Sequence, residues 1–166
     1  MYMHSMHREA LRTQDVESAC TAISADCLAF AARRAANLIS RVYALHLSPS
    51  GLEPSQFLIL NVVASHSTGS ARELADRLGI ERSTLTRNLA RLLEGGLLVS
   101  APGEGRRITY RLTPAGREKL AEALPLWAAA QAAVTARLRP GVAEAARDSL
   151  DELHGAAAEL IDKAPA

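Results

Sequence analysis

Aromatic residues make up only 4% of the 166-residue chain, and cysteine occurs twice, at Cys20 and Cys27. With so few rings, the apolar weight falls on Ala and Leu, a mixture that favours helices in close contact over a sheet-based core. Two cysteines cannot staple a small disulfide-dependent fold. No apolar run approaches the roughly 18 residues of a membrane span. The opening M-Y-M-H-S-M-H-R-E-A-L-R lacks the apolar stretch of a secretory leader. There is no phosphate-cradling glycine loop, no G-x-S-x-G and no metal-ligand pair at helical spacing. His4, His7, Cys20, Cys27 and His46 match no compact ligand pattern either. The expectation is a cytoplasmic chain that is not an enzyme, holds no metal or cofactor and meets no membrane.

Net charge is only +1, but its distribution is uneven. Residues 1–69 are neutral, residues 70–117 hold nine arginines against five acids, and residues 118–166 are net acidic. A basic middle between neutral and acidic flanks fits a local phosphate-binding surface.

Helix punctuation organises the rest. Residues 1–17 are polar and read as a flexible arm. A helix from about Asp15 to Leu47 sets Leu28, Ala32, Ala35, Ile39, Val42 and His46 on one face and Arg33, Asn37 and Arg41 on the other. S-P-S-G at 48–51 stops it. Pro54 opens an almost wholly apolar, central helix, which S-T-G-S at 67–70 ends. A short helix over 71–78 buries Leu74, Ala75 and Leu78, and Gly79 turns the chain. The helix over about 82–94 buries Leu85, Leu89, Leu92 and Leu93. Gly95 and Gly96 end it in the manner of left-handed C-terminal glycines.

L-L-V-S and R-I-T-Y-R-L-T flank A-P-G-E-G as a hairpin. Thr113 caps and Pro114 opens a long helix to about 138, R-P-G at 139–141 breaks it, and a last helix follows. That last helix carries Ala146, Leu150, Leu153, Ala157, Leu160 and Ile161 on one side.

The fold class expected is therefore mostly α with a small β-hairpin wing. Its parts are an arm (1–17), an N-terminal dimerisation helix and linker (18–53), a winged helix-turn-helix (54–117) and C-terminal dimerisation helices (118–166). The terminal helices bear apolar stripes that the winged module does not cover, so an obligate homodimer is expected to bury them.

The chemistry lies on the helix at 82–94. Its outer side is read as Arg82, Ser83, Thr84, Thr86, Arg87, Asn88 and Arg91. Arg can bridge guanine O6 and N7, Asn can bridge adenine N6 and N7, and Ser and Thr reach phosphates or thymine methyls. Arg87 and Asn88 are adjacent, so at most one points straight into a major groove. Arg72 and Arg77 are placed for phosphates. Arg106 and Arg107 at the hairpin tip suit a minor groove, where negative potential concentrates. The partner expected is double-stranded DNA; the alternative is a winged-helix protein-interaction module without DNA binding.

R-E-L-A-D-R-L-G-I-E-R-S-T-L-T-R-N-L-A-R-L, the following G-G-L-L-V, the wing, and L-T-P-A-G-R entering a long helix resemble the MarR (multiple antibiotic resistance regulator) family over about residues 25–163. The resemblance implies a triangular homodimer that binds a palindromic operator, here read as a repressor, and leaves it on a small-molecule or oxidant signal. The family wing usually carries an Asp two residues before the inserted Arg. Here Glu104 takes that place before Arg106, as wing support.

Some family members sense oxidants through N-terminal cysteines, which marks Cys20 and Cys27. Seven residues apart on a helix, they lie roughly 10 Å apart along the axis, beyond the roughly 7 Å between Cα atoms that a disulfide tolerates. A bridge between subunits stays open, as does a plain packing role. Tyr43, His46, Phe57, His66 and Trp127 are expected to wall an effector crevice, or else to be core.

Overall fold

The computed structural model describes residues 13–65, 70–103 and 107–163. Among them are helices α1 (Thr13–Asp26), α2 (Leu28–Leu47), α3 (Pro54–Ser65), α4 (Ala71–Leu78), α5 (Arg82–Glu94), α6 (Pro114–Thr135) and α7 (Val142–Asp162). A 3-10 turn at Ser48–Ser50 and strands β1 (Leu98–Pro102) and β2 (Ile108–Leu112) complete the order. None of these helices is long and apolar enough to cross a membrane. The chain divides into two compact units, Met1–Arg41 and Val42–Ala166.

In the first unit, the single helix expected from Asp15 is two. It begins at Thr13, inside the stretch read as a flexible arm, and breaks at Cys27. The break is slight: Cys27 N–H still donates to the Ile23 carbonyl at 2.9 Å, and Ala31 N–H to that of Cys27 at 3.0 Å. Cys20 is exposed and Cys27 half-buried, both as free thiols. Arg34 lies over the Phe30 ring, 5.5 Å from its centre, a cation–π contact on an exposed face. Residues 1–12, with His4 and His7, lie outside the described residues.

The second unit is built around α3. Phe57, Ile59, Leu60 and Val63 of that helix pack with Leu74, Leu85, Leu89, Leu92, Leu98 and Leu120 in one core. Where the sequence carries turn chemistry, the backbone follows it. Gly51 takes φ 73° to close the 3-10 turn, and Gly79 takes φ 60° after α4. At the end of α5 only Gly96 is left-handed (φ 67°); Gly95 keeps φ −74°, so the pair shares one cap. Leu97 N–H reaches back to the Leu92 carbonyl and Gly96 N–H to that of Leu93, the Schellman pattern.

β1 and β2 pair antiparallel, Leu98 opposite Leu112 and Pro102 opposite Ile108. The L-T-P-A-G segment then locks the hairpin to α6. Thr113 Oγ1 accepts from Gly116 N–H at 2.9 Å and donates to the Gly96 carbonyl at 2.7 Å. Thr113 N–H donates to the Leu97 carbonyl at 3.1 Å. Gly116 sits so close to that carbonyl that a Cβ would lie 2.0 Å from its oxygen. Helix α6 runs through Pro125 and stops at Thr135, three residues before the expected end. The apolar side of α7 is uncovered: Leu160 and Ile161 are 73% and 74% exposed.

Candidate nucleic-acid interface

Helix α4 begins with a full capping box. Ser70 Oγ accepts from Glu73 N–H at 3.3 Å, and Ser70 N–H donates to Glu73 Oε2 at 2.7 Å. The last turn of α4 ends in the left-handed Gly79, whose N–H and that of Ile80 bond back to Asp76 and Ala75. This tight reversal delivers the chain to α5 at Arg82.

Leu85, Leu89 and Leu92 bury one face of α5, so Arg82, Ser83, Thr86, Arg87 and Arg91 are exposed on the other. Thr86 Oγ1 donates to the Arg82 carbonyl at 2.8 Å. Arg91 lies 3.4 Å from Glu53, so one of the outward cations is already paired across to the segment before α3. Arg87 is exposed and forms no ion pair with any described residue. Thr84 is half-buried.

Asn88 departs from the expectation. It is 6% exposed, and its amide donates to the Thr84 carbonyl at 3.1 Å. The reason is spacing: residue 88 falls three after Leu85 and four before Leu92, inside the buried stripe. Its side chain therefore points away from the outer face.

On α4, Arg72 is exposed and 3.8 Å from Asp76, and Arg77 is exposed. At the hairpin, Glu104 and Arg106 lie outside the described residues. Arg107 is described, and its side chain is 68% exposed. Its carbonyl accepts from Gly103 N–H at 2.7 Å, and its Nη1 lies 3.5 Å from Glu73 Oε1. The Glu73 carboxyl is held below its usual range, first by the hydrogen bonds from Ser70 and then by the charges of Arg107 and Arg77. Glu73 was not singled out from the sequence, although Ser70 followed three residues later by Glu73 is a local capping signal; its contact with Arg107 joins residues 34 positions apart, which no local pattern carries.

The residues expected to wall an effector crevice are placed as follows. Phe57 is 3% exposed and stacks on Trp127, ring centres 6.3 Å apart. Tyr43 hydroxyl donates to Gln131 Oε1, one turn along α6 from Trp127. Burial raises the Tyr43 phenol above its usual value. His46 is half-buried, and His66 lies outside the described residues. A separate groove of about 660 Å³ runs between α3, β2 and α6. Val63, Leu112, Leu120 and Leu124 line it together with Arg111 and Arg117. Neither arginine was singled out from the sequence, because one lies in a strand and the other in a helix and only the fold joins them.

Comparison with known proteins agrees with this geometry. A model of the MarR family matches residues 50–108. No curated protein matches the chain. Among solved structures, the Mycobacterium tuberculosis transcriptional regulator MosR in complex with DNA is 38% identical, with TM-score 0.72; the alignment covers 81% of this chain and 98% of MosR. A second crystal structure of M. tuberculosis MosR aligns with TM-score 0.73 at 37% identity, over 82% and 98% of the two chains. A MarR family protein of M. tuberculosis in complex with p-aminosalicylic acid is 25% identical, with TM-score 0.61, over 76% and 97%. With the capped helix-turn-helix, the wing and an identity of 38% over nearly all of MosR, the chain belongs to the MarR family of transcriptional regulators.

Proposed function

We propose that the chain is a cytoplasmic, homodimeric repressor that reads a palindromic operator with α5 and the wing. The observation that carries this is the two-sided character of α5. Three buried leucines fix the helix to the core, and Arg82, Ser83, Thr86 and Arg87 face outward on a segment of net charge +4. A helix held this way can enter the major groove as a rigid body, with base contacts from Arg87 and phosphate contacts from Arg72, Arg77 and the first turn. Arg107, with Arg106 beside it in sequence, extends the surface to the flanking minor groove. The DNA complex of MosR supports the same partner for this chain.

The second copy covers the bare apolar side of α7 and the exposed Leu28, Leu38 and Ile39 of α2. Two reading heads about 34 Å apart then meet successive turns of one DNA face. A ligand or oxidant releases the operator by favouring dimers in which that spacing is lost. The groove beside Arg111 and Arg117 pairs apolar walls with two guanidinium groups, a setting that suits an amphipathic anion.

The test is fluorescence anisotropy on a duplex selected by the protein from a randomised pool, across salt concentrations. Affinity should fall steeply with salt, because phosphate binding releases counterions. Arg87→Ala should cost about 1–3 kcal/mol of discrimination between selected and scrambled duplexes. Unchanged affinity and selectivity in that variant would remove α5 from the groove. Adding p-aminosalicylate or peroxide to the bound complex then distinguishes the two kinds of signal.

A further inference from the structure

Glu73 is held from two sides. Ser70 fixes one carboxylate oxygen at 2.7 Å and the residue's own N–H at 3.3 Å. The other oxygen, Oε1, is the one that meets Arg107, at 3.5 Å. Arg107 is itself fixed along its backbone by the bond from Gly103 N–H. Gly103 fits there because any Cβ would lie 2.7 Å from Thr109 Cγ2 and 3.3 Å from the Arg107 carbonyl oxygen. One carboxylate thus ties the wing to the first turn of α4, across two elements that share no sequence neighbourhood.

We propose that Glu73 is a positioning residue for DNA recognition, holding the Arg107 side chain in the orientation from which it enters the groove. This rests on the DNA-binding reading above. An unrestrained arginine gives up its rotamer freedom on binding, whereas one already oriented gives up less. The contact uses a single nitrogen, Nη1, and a guanidinium has five N–H donors, so the rest remain for DNA. A helix cap alone needs only Oε2. A purely repulsive acid beside DNA would have no reason to be fixed by Ser70 with its second oxygen turned to the wing.

Glu73→Gln separates these roles, because glutamine keeps the capping acceptor and loses the charge. Affinity is measured on a selected duplex of about two half-sites and on a scrambled duplex of the same composition. The variant should bind the selected duplex roughly fivefold more weakly, the upper range for an exposed ion pair. It should bind the scrambled duplex as well as the wild type or better, since an acid has gone. In an Arg107→Gln background the same change should cause no further loss on the selected duplex. Equal changes on both duplexes, or a full loss in the Arg107→Gln background, would overturn the proposal, and a lowered Tm with equal losses would assign Glu73 to capping alone. If the wild type itself shows no salt-sensitive binding to any duplex, the regulator reading fails first.

Discussion

Gly116→Ala sets helix propensity against packing, and the two predict opposite signs. Residue 116 lies in the first turn of α6, where alanine ordinarily favours the helix over glycine by about 1 kcal/mol. The added Cβ, however, would sit 2.0 Å from the Leu97 carbonyl oxygen, 3.0 Å from its carbon and 3.3 Å from Leu112 Cδ2. Ordinary contact begins near 3.4 Å, so the start of α6 must move off the hairpin by more than an ångström. That shift breaks the 3.1 Å bond from Thr113 N–H to Leu97 and stretches the 2.7 Å bond from Thr113 Oγ1 to Gly96. Each bond contributes about 1 kcal/mol, and a rigid overpacked contact costs about 1–3 kcal/mol. After the helix gain is subtracted, the net loss is about 3 kcal/mol, or roughly 6–12 °C in Tm for a chain of this length. The assay is thermal unfolding at matched protomer concentration, since an oligomer's Tm depends on it. Gly155→Ala, in α7 with no atom within 4 Å of the added carbon, is the counterpart and should raise Tm. A Gly116→Ala protein as stable as the wild type would refute the close-approach argument.

Asn88→Ala should lower stability by about 1 kcal/mol, the value of its bond to Thr84, and leave operator sequence preference intact. Altered base preference at unchanged Tm would instead place Asn88 in the groove. Tyr43 and Glu73 make opposite pH signatures. The raised Tyr43 phenol contributes stability that is complete below its ordinary value of 10.0 and lost as pH rises through the raised one. Urea midpoints across about pH 9 to 11 should therefore fall less in Tyr43→Phe. The lowered Glu73 carboxyl contributes stability present above its ordinary value and lost as pH falls through the depressed one. Glu73→Gln should flatten that acid limb, and an unchanged acid limb would contradict it.

Helix boundaries in residues 48–114 were legible because their signals are local. Gly79, Gly96 and Thr113-Pro114 each act within a few positions of themselves, as does the Ser70–Glu73 capping pair, which was not read from the sequence. Asn88 was legible too, by position, but its amide chemistry suggested a base contact where the three- and four-residue spacing pointed to the core. The break at Cys27 has no proline or glycine to announce it, and periodicity ran on unbroken.

The sequence by itself determined the order of elements from Pro54 onward, the turn that presents α5 and the charge of the segment that carries it, since these depend on neighbours in the chain. Tertiary structure alone decided which distant residues meet. Glu73 reaches Arg107, Arg91 reaches Glu53, Phe57 stacks on Trp127, and Gly116 must stay bare beneath Leu97. Each of these contacts joins residues about 20 or more positions apart in the sequence. Their distances are set by how the core closes, and chain-local preference carries no information about that closure.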